Sequence, residues 1–168
     1  VNFGLIYRMG AERLSMVTKT PKAEAKEFIE RYFEKYSTIH ALQERFLEQA
    51  RKEGYSETLF GRRRYLPEIN TKGLLKRMAE GAAINTPVQG SAAEIIKLAM
   101  IDVENALREK KMQSRMILTV HDELVFDALK EEEDELCEIV KHVMENVVGL
   151  EVPLLVEIGK GQTWLDAH

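Results

Sequence analysis

Three polar residues, His121, Asp122 and Glu123, interrupt an otherwise apolar stretch, MILTVHDELVFDA, at residues 116–128. Strand-forming residues on both sides predict a hairpin that exposes these three side chains at its turn. A carboxylate on such a turn can bind a hard cation such as Mg²⁺, which prefers oxygen ligands. Asp122 is therefore a candidate metal ligand, and His121 is a candidate donor to a sugar or phosphate oxygen. An ordinary polar turn explains the same residues, and one carboxylate alone does not make a two-metal site.

The second candidate is the segment GAAINTPVQGSAAEIIK, residues 81–97, in which Gly81, Asn85 and Gln89 are spaced four residues apart. These residues share one helix face if helical geometry continues through Pro87. Amide side chains both donate and accept hydrogen bonds, so Asn85 and Gln89 could contact base edges in a minor groove without choosing a sequence. The alternative is that both amides satisfy backbone groups freed by the proline.

Three consecutive arginines, Arg62, Arg63 and Arg64, form the third candidate. Residues 51–80 contain eight Lys or Arg and four Asp or Glu, a net charge of +4, whereas residues 121–140 contain one Lys and nine Asp or Glu, a net charge of −8. A basic segment can contact a phosphate backbone and an acidic one can hold cations, but two solvated surfaces explain the same counts. Because strand side chains alternate between faces, only some of the arginines can face one phosphate track.

Helical periodicity dominates the first fifty residues. A short helix is predicted over 11–17, and a second helix begins with Thr20 as N-cap and Pro21 at the first helical position. Ser37 is predicted to cap a third helix, which ends at Gly54. Two sets of apolar residues are predicted to face inward: Phe28, Ile29, Tyr32, Phe33 and Tyr36 in the second helix, and Ile39, Leu42, Phe46 and Ala50 in the third.

The remaining elements mix hairpins and helices. Residues 55–69 predict a hairpin with its turn near Gly61, and residues 72–111 predict a long helix broken or kinked at Pro87 and Gly90. A helix over 131–147 follows the acidic hairpin, and VPLLVEIG, residues 152–159, predicts a last strand. This order predicts an α+β fold in which a helical lobe precedes a small antiparallel sheet backed by helices.

The composition and the ends of the sequence limit the class of protein to which it can belong. Hydrophobic residues make up 45% and charged residues 31% of the sequence, which is typical of a globular domain with a substantial core. No apolar run approaches the ~20 residues of a membrane-spanning helix. The single cysteine, Cys137, fits a reducing cytoplasm. The sequence starts on VNFGLIYRMG without an initiating Met, so we expect the C-terminal part of a longer protein.

Several motifs occur together in a familiar order: NFGLIY, TLFGRRRYLPEI, AINTPVQGSAAEIIKLAM, VHDELVFDA and VEIGKGQTW. With these motifs the chain resembles the C-terminal part of family A DNA polymerases of the bacterial DNA polymerase I type, over essentially its whole length. The resemblance implies a fingers subdomain at residues 1–72 and part of the palm at residues 73–168.

The resemblance also implies roles for individual residues. Asp122 would be a catalytic metal ligand and Glu123 an assisting acid. Phe3 would lie against the nucleotide sugar, and Tyr7 would pack near the nascent base pair. The residues implied to contact DNA are Asn85, Gln89, His121 and Arg63.

The activity implied is DNA-templated addition of deoxynucleotides to a primer 3′-hydroxyl by two-metal phosphoryl transfer with Mg²⁺, as used in DNA replication and repair. The implied partners are primer-template DNA, deoxynucleoside triphosphates and the upstream remainder of the polymerase, without a membrane. A second aspartate ligand and a phosphate-binding fingers lysine would lie upstream, so the isolated chain is expected to be inactive. The alternatives are a non-catalytic DNA-binding module derived from such an enzyme and a metal-dependent phosphodiester hydrolase using Asp122.

Three positions depart from the family pattern. Arg8 stands where the family usually has glycine, at a cost of about 1–2 kcal/mol if the backbone there is left-handed. Gly81 stands where the family usually has an arginine that binds the primer end. Thr119 stands where relatives often have glutamine, which removes one further expected DNA contact.

Overall fold

The computed structural model describes residues 1–167, with the backbone alone at Phe3. The chain forms two compact units, residues 1–91 and the residues from Ala92 onward. The predicted α+β class is confirmed, since helices predominate and the strands form two separate two-stranded antiparallel sheets. The helices are α1 (Asn2–Ile6), α2 (Ala11–Thr18), α3 (Lys22–Lys35), α4 (Ser37–Glu53), α5 (Gly73–Asn85), α6 (Ser91–Glu109) and α7 (Glu133–Asn146), and the strands are β1 (Tyr55–Glu57), β2 (Arg63–Tyr65), β3 (Arg115–Val120) and β4 (Glu123–Asp127).

Helix α3 begins one residue later than its start signal predicts. Pro21 occupies the N-cap position, and no side chain caps the helix. The Thr20 hydroxyl instead lies 2.8 Å from that of Thr18. The predicted aromatic stripe is also partly wrong, because Phe28 and Tyr36 are exposed and the buried residue of α3 is Ala25. A small side chain lets α3 approach Leu5 and Leu14 closely, so the larger aromatic rings are left to pack at the surface.

Helix α4 ends as predicted, but its N-cap residue is Tyr36 and not Ser37, and no side chain caps it. Its predicted inward face is partly wrong. Ala50 is buried as predicted and Ile39 and Phe46 are half-buried, but Leu42 is exposed, and Gln43 and Leu47 complete the buried face. The buried residues follow a regular i, i+4, i+7 spacing, and apolar periodicity does not reveal this face because one of its members is a glutamine. Gly54, with φ of 76°, ends the helix as predicted.

The first unit contains the cluster around Leu5 and Leu14 and a larger core between α4, α5 and the residues after β2. The buried residues of the larger core are Leu47, Ala50, Leu66, Ile69, Ala79, Ala83 and Ile84. Strands β1 and β2 form the predicted hairpin, and Gly61 lies in its loop with φ of 83°. The positive φ explains glycine at that position.

The long helix is interrupted where the sequence predicts. Between α5 and α6, residues Thr86–Gly90 form a π-helical turn that contains Pro87. Proline cannot donate a backbone hydrogen bond, and π-helical turns are one of the recognised ways in which a helix absorbs such an interruption.

The second unit packs α6 and α7 with the β3–β4 hairpin. Val103, Leu107, Leu136 and Val140 are buried, and Met116 and Phe126 from the two strands pack against them. Glu132, at the N-terminus of α7, accepts hydrogen bonds from the backbone N–H groups of Gln113 and Ser114 and from the Ser114 hydroxyl. These contacts connect the start of α7 to the segment that enters β3.

The predicted last strand is wrong. Residues 152–159 contain no strand in the described chain, and the backbone N–H of Val156 donates to the Glu145 carboxylate, 3.1 Å away. A strand needs a neighbouring backbone, and Pro153 removes one donor from this segment. Lys160 holds the segment's end against α7 through Glu133 at 2.9 Å and Asp134 at 3.1 Å, and these two hydrogen bonds raise the pKa of Lys160.

Across residues 1–167, no helix has both the length and the apolar character needed to span a bilayer.

The corrected face of α4 can be tested by core truncation. We expect Leu47→Ala to lower the free energy of unfolding by about 2–5 kcal/mol, because the side chain is fully buried and its removal leaves a cavity. Leu42→Ala on the exposed face is the matched control and should cost less than about 1 kcal/mol. Urea denaturation of the 168-residue chain, followed by circular dichroism, compares the two. Equal losses would contradict the observed burial pattern.

Glu132 gives a pH-dependent contribution to stability. Its hydrogen bonds, first from the Ser114 hydroxyl and then from the backbone of Gln113 and Ser114, lower the pKa of Glu132 below its ordinary value of 4.5. The stabilisation is therefore present above pH 4.5 and is lost as the pH falls through the lowered folded-state pKa. We expect the urea midpoint of Glu132→Gln to be lower than that of the unsubstituted chain at pH 6 and closer to it at pH 3. Glu138→Gln, an exposed change on α7, should leave the pH profile of the midpoint unaltered.

Candidate functional site

The acidic hairpin has the predicted form. Val120 pairs with Glu123, so His121 and Asp122 alone make the two-residue loop. His121 has a φ of 54°, a left-handed conformation that costs an L-residue free energy and fixes a tight turn. The strand register shifts between Met116 and Leu118, which indicates a bulge that re-aims the strand before the loop.

The loop presents its side chains outward. His121 and Asp122 are exposed and Glu123, the first residue of β4, is half-buried. An exposed carboxylate on a rigid turn suits a hard cation that keeps several waters, so Asp122 fits a Mg²⁺ ligand. Among residues 1–167, no three His, Cys, Asp or Glu side chains cluster as a metal site.

The first unit contains a polar groove. The hairpin β1–β2 supplies one wall and the π-helical turn supplies the other, enclosing a cavity of about 210 Å³. The lining residues are Thr58, Arg62, Arg63, Arg64, Asn85, Thr86, Gln89 and Gly90. The structure thus brings together Asn85, Gln89 and the arginines, whereas Gly81 does not line this groove.

The two walls approach closely at Gly90. A Cβ atom at Gly90 would lie 2.7 Å from Cγ2 of Thr58, so a larger residue would push the hairpin away from the helix. The Ser91 hydroxyl accepts a hydrogen bond from the backbone N–H of Leu59 at 2.9 Å and reinforces the same contact.

Asn85 and Gln89 are not used to repair the helix around Pro87. The carbonyl of Ala83, four residues before the proline, accepts a hydrogen bond from the Ser56 hydroxyl at 2.8 Å. The Thr86 hydroxyl donates to the carbonyl of Ala82. Ser56 and Thr86 thus supply donors to the carbonyls that precede the proline.

The amide of Asn85 retains unused hydrogen-bonding capacity. Its Oδ1 atom is buried without a hydrogen-bond partner in the described chain. Buried polar atoms are usually paired, so an unpaired amide in a groove is a candidate ligand contact. Gln89 is exposed beside it.

The arginines of the groove differ in their pairing. The Nε atom of Arg63 lies 2.7 Å from the Glu57 carboxylate, and its guanidinium lies 4.5 Å from the Tyr55 ring centre. The hydrogen bond to Glu57 raises the pKa of Arg63 above its usual range. Arg64 is exposed and has no ion pair in the described chain, so its charge is the more available for a phosphate.

The other predicted nucleotide contacts lie at the N-terminus of the first unit. Tyr7 follows α1 and is half-buried. The predicted contact of Phe3 with the nucleotide sugar concerns a side chain outside the described residues.

Two of the departures from the family pattern have structural consequences. Arg8 has a φ of 62°, which is the left-handed conformation that favours glycine, and its guanidinium lies 3.6 Å from the Glu80 carboxylate. A Cβ atom at Gly81 would meet no atom within 4 Å, so the expected arginine would fit there sterically.

Sequence reasoning did not identify Ser56, Gln43 or Glu80 as supports of these residues. Each acts through a contact across at least 27 residues of sequence, which periodicity cannot reveal. Only Gln43 left a signal, a polar residue at core spacing with Leu47 and Ala50.

Comparison with known proteins agrees with this architecture. The chain matches the family model for DNA polymerase family A over residues 1–166, and it belongs to that family.

Individual relatives are named DNA polymerase I. The chain is 46% identical to DNA polymerase I of Bacillus caldotenax, over 99% of this chain and 19% of the relative. It is 48% identical to the thermostable DNA polymerase I of Thermus aquaticus, over 99% of this chain and 20% of the relative. A solved structure, the POL domain of Pol1 from M. smegmatis in complex with DNA primer-template and dNTP, has a TM-score of 0.94 and 42% identity over 99% of this chain and 30% of that chain. The chain therefore spans about a fifth of the length of these curated relatives.

Proposed function

We propose that this chain is the C-terminal fingers and palm portion of a DNA-templated DNA polymerase. Residues 1–72 would belong to the fingers and residues 73–168 to the palm of an enzyme that works in a bacterial-type cytoplasm. The observation that carries the proposal is the TM-score of 0.94, at 42% identity, to a polymerase domain in complex with DNA primer-template and dNTP. The reaction is addition of a deoxynucleotide to a primer 3′-hydroxyl.

The hairpin loop is the proposed catalytic element. Enzymes of this family generally use divalent metal ions, and Asp122 would hold Mg²⁺ through its exposed carboxylate, with Glu123 as an assisting acid. When bound, two such ions supply charge stabilisation for attack on the α-phosphate and for the pyrophosphate leaving group. His121 orients toward the primer terminus as a hydrogen-bond donor.

The polar groove of the first unit is the proposed DNA contact. Asn85 and Gln89 present amides that can meet minor-groove acceptors on any base pair. Arg63 and Arg64 supply positive charge for phosphates. Phe3 and Tyr7 would contact the incoming nucleotide and the nascent base pair.

The role of Asp122 can be tested by primer extension with the full-length protein and Mg²⁺. We expect Asp122→Asn to reduce extension at least about 100-fold, because loss of a metal-binding carboxylate removes several kcal/mol of transition-state stabilisation. Asp127→Asn, at the exposed end of the same hairpin, is the matched control and should extend primers normally. Residues 1–168 alone are expected to add no nucleotide.

Each outcome discriminates between the functions considered. Equal extension by both variants would remove Asp122 as an essential ligand. No extension by any version of the folded protein would favour the non-catalytic DNA-binding module. Metal-dependent shortening of the primer, without nucleotide-dependent growth, would indicate the hydrolase.

The two arginines of β2 should differ in their contribution to DNA binding. We expect Arg64→Ala to weaken binding of primer-template DNA and to reduce the slope of log K against log salt by about 0.9, the value for one phosphate contact. Arg63→Ala should change the slope less, because Glu57 already pairs with that guanidinium. Fluorescence anisotropy titrations at several salt concentrations measure both. A larger change for Arg63→Ala would show that the ion pair opens on DNA.

A further inference from the structure

Tyr7 lies between two residues that are each held by a separate part of the first unit. On one side, the backbone carbonyl of Ile6 accepts a hydrogen bond of 2.7 Å from Nε2 of Gln43 on α4. On the other side, the guanidinium of Arg8 lies 3.6 Å from the carboxylate of Glu80 on α5.

The contact with Gln43 requires a buried amide. Gln43 is only 5% exposed, and it lies in register with the core residues Leu47 and Ala50. A buried amide costs free energy unless it is hydrogen-bonded. The carbonyl of Ile6, at the C-terminal end of α1, is one of the acceptors that a helix leaves unsatisfied. Gln43 therefore meets a specific need of α1 that an apolar residue of the same size could not meet.

The carboxylate of Glu80, which pairs with Arg8, is itself held in place by a second contact. The Glu80 side chain is 14% exposed, and its carboxylate also accepts a hydrogen bond of 2.7 Å from Arg51 on α4. Arg8 reaches this carboxylate from a backbone with φ of 62°, a conformation that a glycine would adopt at lower cost. The arginine thus combines an unfavourable backbone conformation with an ion pair to a well-held partner.

The side chain of Tyr7 does not have such a support. In the described residues its hydroxyl makes no hydrogen bond, and its ring is half-buried. The position of the ring is consequently set by the backbone on both sides of it, at Ile6 and at Arg8.

We infer that Gln43 and Arg8 are positioning residues that clamp the backbone around Tyr7 and thereby set the affinity for the incoming nucleotide. This inference rests on the proposed function, in which Tyr7 packs near the nascent base pair. Both residues act in this inference through the place that they give to Tyr7.

The test uses two variants of the full-length protein with matched controls. Gln43→Met keeps the buried volume but removes the donor, and Gln49→Met is the same change at an exposed position of α4. Arg8→Met keeps the side-chain stem but removes the charge, with Arg13→Met on the exposed surface as its control. Arg8→Lys retains the charge and serves as the conservative rescue.

Two measurements are made on each variant. Hydrogen–deuterium exchange of a peptide covering residues 2–10 measures how firmly this backbone is held, and it does not require catalysis. Steady-state primer extension reports KM for the correct dNTP and kcat separately. A simple loss of folded enzyme would lower kcat and leave KM unchanged, so a KM effect identifies positioning.

We expect faster exchange of the 2–10 peptide and a KM raised about 3- to 10-fold for Gln43→Met and Arg8→Met, the range for loss of one hydrogen bond or ion pair. The kcat should change less than twofold, both controls should match the unsubstituted protein, and Arg8→Lys should restore most of the affinity.

Unchanged exchange in both variants would overturn the clamp whether or not the enzyme is active. Faster exchange with unchanged KM in an active enzyme would overturn its role in nucleotide binding. If the unsubstituted protein extends no primer, the proposed function fails, and the exchange measurement alone still decides whether Gln43 and Arg8 hold this backbone.

Discussion

A proline inside a helix sets the geometry of the first unit. Pro87 has no backbone N–H, so the carbonyl of Ala83 needs another donor. Ser56 on β1 supplies it, 2.8 Å away, and this bond, together with the one from the Leu59 N–H to the Ser91 hydroxyl, ties the first hairpin to the helix at the π-helical turn. Gly90 approaches Thr58 of the hairpin at the same turn. The polar groove, with arginines on one wall and amides on the other, exists because the hairpin is held at this break.

The same principle recurs elsewhere in the chain: polar side chains satisfy backbone groups that regular structure leaves over. Gln43 meets the carbonyl at the end of α1, and Glu132 meets two N–H groups that lead into β3. Each contact joins elements distant in sequence, so each fixes tertiary arrangement as well as local hydrogen bonding. The apolar clusters give bulk stability, whereas these polar contacts fix where the ends of the elements lie.

Local signals predicted the elements well and their contacts poorly. Gly54, Gly61, Pro87 and the His121–Asp122 pair each act within a few residues, and each marked a boundary, turn or break that the structure contains. The predicted buried face of α4 includes Ala50 correctly but misses Gln43, whose hydrogen-bond acceptor is a carbonyl 37 residues away, and it includes Leu42, which is exposed although it is apolar. The last strand was wrong because a strand is defined by its neighbour, and residues 152–159 are instead held by Glu145 and the start of α7. Residue type and spacing nominate Asp122, Asn85 and Gln89, the motif resemblance assigns their expected roles, and the geometry adds that Asn85, Gln89 and the arginines share a groove.

Neighbouring polar residues of the groove differ in whether the fold supplies a partner for them, and sequence alone does not show that difference. Thr86 and Ser91 donate their hydroxyls to backbone carbonyls, while Asn85, adjacent to Thr86 in sequence, keeps a buried oxygen without a partner in the described chain. Arg63 is paired with Glu57, while Arg64 is not paired within the described chain. In each pair the residue types are equally polar, so composition predicts the same role for both. What distinguishes them is whether the fold itself supplies a partner. A polar group that the fold brings into a groove and leaves without one carries a desolvation cost that a ligand can remove. In this groove that group is the Oδ1 atom of Asn85, which supports the proposed DNA contact there.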